Sequence, residues 1–255
     1  MLTEVHVPED VPAAVSLVAA GATIIGGGTS LMPRLNDYAS PPTELVSLRR
    51  AGLTGVHVGG DTVTIGAMTT LAQIEHDPRL AFLNPVVRSI ASVPVRTLAT
   101  VGGNLFARQP HGDLAVALVA LGARAVLAGE GASELPLTRP GLVTAITVRI
   151  PEEGTFKYLK AARRRWNSAS LVTVAATIHE ASGEVTIALG GVSDRVVRAH
   201  AAEAVLRGRP LTEETVEAAA RAELAHLTPA DDAYASAWYR KRVFPVHLRR
   251  ALLGR

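Results

Sequence analysis

Two glycine-rich stretches, Gly26-Gly27-Gly28-Thr29-Ser30-Leu31 and Thr100-Val101-Gly102-Gly103-Asn104, each stand where an apolar run gives way to small and polar residues. Consecutive glycines can turn several backbone N–H groups toward one anion, because they tolerate positive φ and place no Cβ between donor and ligand. Thr29, Ser30, Thr100 and Asn104 add side-chain donors. Either stretch alone also reads as an ordinary tight turn, whereas the pair reads as two halves of one anion cradle. Familiar nucleotide loops do not fit. Leu31 falls where a dinucleotide fingerprint needs its third glycine, and the first stretch has no P-loop lysine. Glu44 begins an apolar run, whereas a ribose-binding acid should follow its strand.

Outward from the first stretch, Ala22 to Ile25 reads as a short buried strand that feeds the glycines. A helix from Pro12 to Ala20, entered through Asp10 as N-cap, precedes it. Pro33 and then Pro41-Pro42 interrupt any long helix, and Leu45 to Leu48 returns as a strand. The expected product is a small α/β unit with the glycines at the carboxyl end of a strand. From Val56 the period changes to two: Val56 and Val58, then Val63 and Ile65, flank Gly59-Gly60-Asp61 as a hairpin. Thr69 or Thr70 caps a helix to about His76, and a further helix covers Pro85 to Ala91. Val93-Pro94-Val95-Arg96 is expected to approach the second glycine stretch in extended form.

Beyond it, Leu114 to Leu121 reads as a helix and Ala125 to Leu127 as a strand. Asp113 has two readings: N-cap of that helix, or a carboxylate that hydrogen-bonds a ligand hydroxyl. The β-branched run Leu142 to Ile150 ends at Pro151, and Glu152-Glu153-Gly154 suits an exposed connection, so the domain boundary is expected at 153/154. Phe156–Ala161, Leu171–Ile178 and Val185–Leu189 read as three strands, the last two joined through Ser182-Gly183. Helices near His200–Leu206, Glu213–Leu227 and Ala233–Leu253 complete an α+β second domain.

The 255 residues, 48% of them hydrophobic, suffice for a substantial core and two domains. No run of about eighteen apolar residues is present and no leader pattern is found at the N-terminus, so we expect a soluble, cytoplasmic chain. The net charge is +3. Arg163-Arg164-Arg165 and the set Arg240, Lys241, Arg242, Arg249 and Arg250 read as solvated faces rather than as a nucleic-acid groove. Without a cysteine the chain makes no disulfide, no thiolate zinc site and no Cys-ligated iron–sulfur cluster. None of the eight histidines has the His-Glu-x-x-His spacing, and Arg195 spoils a nucleophile elbow around Ser193. Chemistry is therefore expected to belong to a bound organic cofactor.

Three motifs taken together, Ile24-Ile25-Gly26-Gly27-Gly28-Thr29-Ser30-Leu31-Met32-Pro33, Ile65-Gly66-Ala67-Met68-Thr69-Thr70-Leu71 and Thr100-Val101-Gly102-Gly103-Asn104-Leu105 followed by Asp113-Leu114, resemble the medium, flavoprotein subunit of molybdenum hydroxylases of the carbon monoxide and xanthine dehydrogenase type. The resemblance implies a vanillyl-alcohol-oxidase (PCMH)-type FAD-binding domain over residues 1–153, with subdomains of about 1–52 and 53–153, and a family-specific C-terminal α+β domain over 154–255. By the same resemblance, Ile24, Gly26, Gly27, Gly28, Thr29, Ser30 and Leu31 form a first pyrophosphate loop. Thr100, Gly102, Gly103 and Asn104 form a second, Asp113 is an FAD-contacting carboxylate, and Ile146 and Lys160 are flavin neighbours. Lys160 also reads as a solvated strand lysine. Ile90 replaces an aromatic flavin neighbour, and His111 stands where relatives carry small residues.

The function implied is electron transfer. Electrons from two [2Fe-2S] clusters on a small subunit, originating at molybdopterin on a large subunit, reach FAD for delivery to an external acceptor, in a dimer of heterotrimers. The alternatives are a stand-alone flavin reductase of the UDP-N-acetylenolpyruvoylglucosamine reductase type and a non-catalytic scaffold subunit.

Overall fold

The computed structural model describes residues 2–36, 42–137, 141–165, 167–179 and 181–254. The first elements are β1 (Glu4–His6), α1 (Val11–Ala19), β2 (Thr23–Ile25), α2 (Leu31–Asn36), β3 (Glu44–Ser47), β4 (Val56–Gly59), β5 (Thr62–Gly66) and α3 (Leu71–His76). Next come α4 (Asn84–Ser89), α5 (Val93–Leu98), α6 (Val101–Leu105), α7 (Asp113–Ala120), β6 (Arg124–Leu127), β7 (Gly131–Glu134) and β8 (Val143–Arg149). The chain finishes with β9 (Phe156–Ala162), β10 (Ser170–His179), β11 (Glu184–Gly190), β12 (Val197–Arg198), α8 (His200–Leu206), α9 (Glu213–Leu224) and α10 (Ala237–Leu253). Two compact units result. Residues up to Ala81, with Ser92–Ala107 and Arg124–Val148, form one, and Phe82–Ala91, Arg108–Ala123 and the residues from Arg149 form the other. Packing thus groups two segments from before residue 153 with the C-terminal part of the chain.

The first unit contains a parallel three-stranded sheet, β1-β3-β2, and a five-stranded sheet, β4-β5-β8-β6-β7. The Asp10 side chain caps α1 by accepting the Ala13 N–H at 2.8 Å. Ala14 of that helix enters a core with Ala22, Val46 and Leu48. β2 then delivers the chain into the first glycine stretch. The β4–β5 hairpin pairs Val58 with Val63 and Val56 with Ile65, as the period-two pattern demands. Thr70 caps α3 in a reciprocal capping box with Gln73.

The approach to the second glycine stretch departs from expectation. Val93 to Leu98 is helical, not extended. Pro94 lies in its first turn, where an N–H has no intrahelical partner to lose, and Ser92 supplies the extended residue before the helix. β1 also went unread, since three residues carry no recognisable period.

In the second unit the expected three strands gain a fourth, the two-residue β12, in the antiparallel order β12-β11-β10-β9. β10 is buried on both faces, and its period-two alternation separates two jobs. Val172, Val174, Ala176 and Ile178 join a core with Leu206, Val216, Phe244 and Leu248 of the C-terminal helices. Thr173 and Thr177 turn to the other face, where Thr177 Oγ1 donates to the Ala120 carbonyl of α7 at 2.8 Å. The last helix starts at Ala237 under a Ser236 cap, later than expected, and Arg240 is buried rather than solvated. Its guanidinium donates to the carbonyls of Leu171, Ala230 and Ala235 and to Asp232 at 2.9–3.2 Å. Among the described residues no helix is long and apolar enough to cross a membrane.

Removing the α3 cap isolates one local term: Thr70→Ala should lower stability by about 1 kcal/mol, read as a fall in the thermal midpoint.

Candidate cofactor site

Both glycine stretches lie in the first unit and press on each other. A Cβ on Gly27 would stand 1.6 Å from the carbonyl oxygen of Leu98, and one on Gly26 would stand 2.8 Å from Thr100 Oγ1. Gly28 takes a positive φ of 74°, which turns the chain from β2 into α2 and which an L side chain would strain. The turn leaves donors unspent. Among the described residues, the N–H groups of Gly27, Gly28, Thr29 and Ser30 find no acceptor on the chain. Gly27 to Thr29 are partly exposed and Ser30 is exposed, so a row of consecutive donors is open to a ligand. Leu31, partly exposed, begins α2, and Ile24 packs from β2 onto the core.

The second stretch behaves differently. It is the short helix α6, capped by Thr100, whose Oγ1 accepts the Gly103 N–H at 3.1 Å. The Val101 N–H donates to the Thr69 carbonyl at 2.9 Å and the Gly102 N–H to the Ala67 carbonyl at 2.8 Å. Leu71 donates in turn to Ala99, and Thr70 bridges Thr100. The N-terminal donors of a helix must find acceptors, and here the Ala67–Leu71 segment supplies them. Gly102 and Gly103 therefore bring no spare backbone donor. The two stretches thus differ: the first leaves its backbone donors open, whereas the second has those of Val101, Gly102 and Gly103 engaged within the chain. Thr100 and Asn104 are buried in the second, Gly103 is exposed, and Ile146 on β8 is wholly buried.

Asp113 and Lys160 meet in the second unit. Gly112, at φ 87°, holds the cap position of α7, and Asp113 is its first helical residue and caps nothing, which removes the N-cap reading. Its Oδ1 accepts from Ser170 Oγ at 2.6 Å and Thr173 Oγ1 at 2.7 Å, and its Oδ2 accepts from Lys160 Nζ at 2.9 Å. Lys160 Nζ also donates to the Ser89 carbonyl at 2.9 Å. With side-chain exposures of 9% and 6%, Lys160 and Asp113 form a buried ion pair, so Lys160 is not a solvated strand lysine. Ser89 Oγ meets Tyr158 OH at 2.8 Å. Burial, followed by the nearby Asp113 charge, pushes the Tyr158 phenol well above its usual range. Sequence reasoning missed Ser170 and Thr173; Thr173 shares the period-two face of Thr177, but Ser170 is out of that period and reaches the same carboxylate only past the register irregularity between Ser170 and Val172. Ile90 is buried just after α4, and His111 is exposed, edge-on to Tyr234 at 5.9 Å.

These geometries fix three outcomes. Gly27→Ala should cost at least about 1–3 kcal/mol in thermal unfolding without any added ligand, because the obstacle is backbone. Asp113→Asn strands a buried ammonium and should cost about 3–5 kcal/mol by urea unfolding, whereas Asp113→Asn with Lys160→Met should regain most of it. The folded state favours the neutral Tyr158 phenol, so its contribution is complete below pH 10.0, the ordinary value, and is lost as pH rises toward the folded one. Tyr158→Phe should therefore flatten the alkaline decline of the urea midpoint.

Comparison with known proteins places these features in a family. Residues 2–142 match the FAD-binding domain of molybdopterin dehydrogenases, and residues 157–254 match the carbon monoxide dehydrogenase flavoprotein C-terminal domain. The chain is 30% identical over 273 residues to the carbon monoxide dehydrogenase medium chain of Hydrogenophaga pseudoflava, covering 98% of this chain and 95% of that one. It is also 30% identical over 250 residues to the nicotine 6-hydroxylase medium subunit of Paenarthrobacter nicotinovorans, covering 90% and 88%. The solved carbon monoxide dehydrogenase of H. pseudoflava lacking its Mo-pyranopterin moiety superposes with a TM-score of 0.88 at 28% identity over 99% of this chain and 96% of that chain. Quinoline 2-oxidoreductase from Pseudomonas putida 86 gives 0.84 at 25% over 100% and 96%. The expected PCMH-type FAD-binding domain followed by a family-specific C-terminal domain is thus the fold observed, and the chain belongs to the FAD-binding flavoprotein family of the molybdopterin dehydrogenases, an oxidoreductase family.

Proposed function

We propose that the chain holds FAD by its pyrophosphate at Gly27–Ser30 and serves as the electron-transferring subunit of a molybdenum hydroxylase complex. The observation that carries this is the row of unspent N–H donors at Gly27–Ser30, in a domain of the FAD-binding family. Thr29 and Ser30 add hydroxyl donors, and Thr100, Gly102, Gly103 and Asn104 form the wall behind them. FAD, when bound, supplies the capacity to accept electrons and release them to an external acceptor. A cysteine-free chain houses no Cys-ligated cluster, so the [2Fe-2S] clusters that feed it belong to a small companion subunit and the molybdopterin to a large one. The names of the relatives, medium chain and medium subunit, agree with that division.

In this reading the functional domains divide at 153/154, the assembly is a dimer of heterotrimers, and the location is cytoplasmic. Asp113 and Lys160 are FAD-contacting residues in this reading; within the chain the carboxylate accepts three hydrogen bonds and the ammonium donates two.

Titration of the purified chain with FAD should give a bound flavin spectrum, and FMN, with one phosphate, should bind more weakly. A chain that stays colourless with FAD overturns the assignment. Thr29→Ala and Ser30→Ala should each weaken FAD by about 0.5–1.5 kcal/mol, with thermal midpoints of the ligand-free protein unchanged.

A further inference from the structure

The donor row at Gly27–Ser30 consists of neutral groups, whereas each phosphate of a pyrophosphate diester carries a negative charge. A cationic counterpart on the first unit has to be an arginine, because the first 156 residues contain no lysine. Four of that unit's described arginines are already engaged. Arg50 lies 3.9 Å from Glu9, Arg79 pairs with Asp77, Arg96 lies 3.0 Å from Glu75, and Arg124 donates to the Ala132 carbonyl at 3.0 Å. Arg34 and Arg49 are exposed and have no hydrogen-bond or ion-pair partner among the described residues.

The two differ in placement. Arg34 belongs to α2, which follows the donor row directly, and no acidic residue shares that helix. The winding starts before α2 itself, since the Met32 N–H donates to the Gly28 carbonyl at 2.8 Å. Arg34 therefore stands four residues after Ser30 on one continuous winding, and residues so spaced share a face. A helical side chain covers the turn N-terminal to its own Cα, which leans Arg34 back over the donor row. One turn, about 5.4 Å, is within the reach of an extended arginine. Arg49 stands apart from this winding, in the turn Leu48–Arg50 after β3.

We propose that Arg34 is the cation of this anion site: its guanidinium closes onto the phosphates of a diphosphate ligand held by the Gly27–Ser30 N–H groups and makes the binding charge-assisted. A guanidinium suits the task because its planar fork meets two phosphate oxygens at once. No ion pair among the described residues has to break before it moves. The role of Arg34 rests on the proposed function only for the identity of the ligand as FAD; the chemistry recognised is the diphosphate.

The test measures dissociation constants of the full chain for FAD, riboflavin and inorganic pyrophosphate at low and high salt, by flavin fluorescence and calorimetry. Arg34→Gln should weaken FAD and pyrophosphate about three- to tenfold. Arg34→Lys, which keeps the charge and loses the fork, should recover part of that. High salt should weaken FAD binding to the wild type more than to Arg34→Gln. Riboflavin has no phosphate, so its affinity should be the same in both, and Arg49→Gln should behave as wild type. Arg34 is exposed and unpartnered among the described residues, so thermal midpoints of the ligand-free variants should not change. Equal FAD affinity in the wild type and Arg34→Gln overturns the proposal and leaves the cofactor assignment standing. An equal loss for riboflavin also overturns it, because the effect would not run through phosphate. So does an equal loss in Arg49→Gln, which would mark a general effect of charge. Pyrophosphate binding that depends on Arg34, in a chain that stays colourless with FAD, supports the anion site and overturns the cofactor assignment. A chain that binds neither overturns both.

Discussion

The backbone approach between Gly27 and the Leu98 carbonyl sets the terms for the first unit. No residue with a side chain fits where a Cβ would sit 1.6 Å from a carbonyl oxygen, so the loop after β2 can rest against the end of α5 only as glycine. That contact brings two segments separated by some seventy residues into one wall-and-loop arrangement. The roles then divide by hydrogen-bond supply. The Ala67–Leu71 segment consumes the N-terminal donors of α6, and the donors of the first loop are left for a ligand. A glycine can therefore matter at a cofactor site in two ways, by presenting its own N–H or by letting a neighbouring backbone close in.

The second unit is arranged around a buried charge. Asp113 enters at the first residue of a wholly buried helix, where an isolated carboxylate would be costly. Two hydroxyls from β10 and the ammonium of Lys160 from β9 meet it, and Lys160 is in turn fixed by the Ser89 carbonyl at the end of α4. One polar knot thus ties two helices to two strands. The inserted segments 82–91 and 108–123 are held in the unit both by this knot and by the wholly buried apolar residues of α7.

Much of this architecture was legible from local pattern. The hairpin of β4 and β5, the Asp10 cap, the run of C-terminal strands and helices, and the two glycine stretches each carry a short-range signal that tertiary packing reinforced. Misreadings came where a short-range signal had two meanings. Pro94 ends helices as well as starting them, and only the course of the chain around Ser92 decided for a start. Asp113 looks like a cap because caps and buried helix-start carboxylates have the same sequence neighbours. Arg240 reads as one of five exposed cations until its helix is seen to turn it into the core.

The sequence by itself determined that the chain is a two-part, cysteine-free protein with paired glycine stretches in the order of a flavoprotein family, because residue identity and spacing suffice for that. Only the tertiary structure decided which backbone donors remain open, which carboxylate is already engaged and which arginines face outward. Those are questions of hydrogen-bond supply and burial. Both depend on segments far apart in the chain, so no local window of sequence contains the answer.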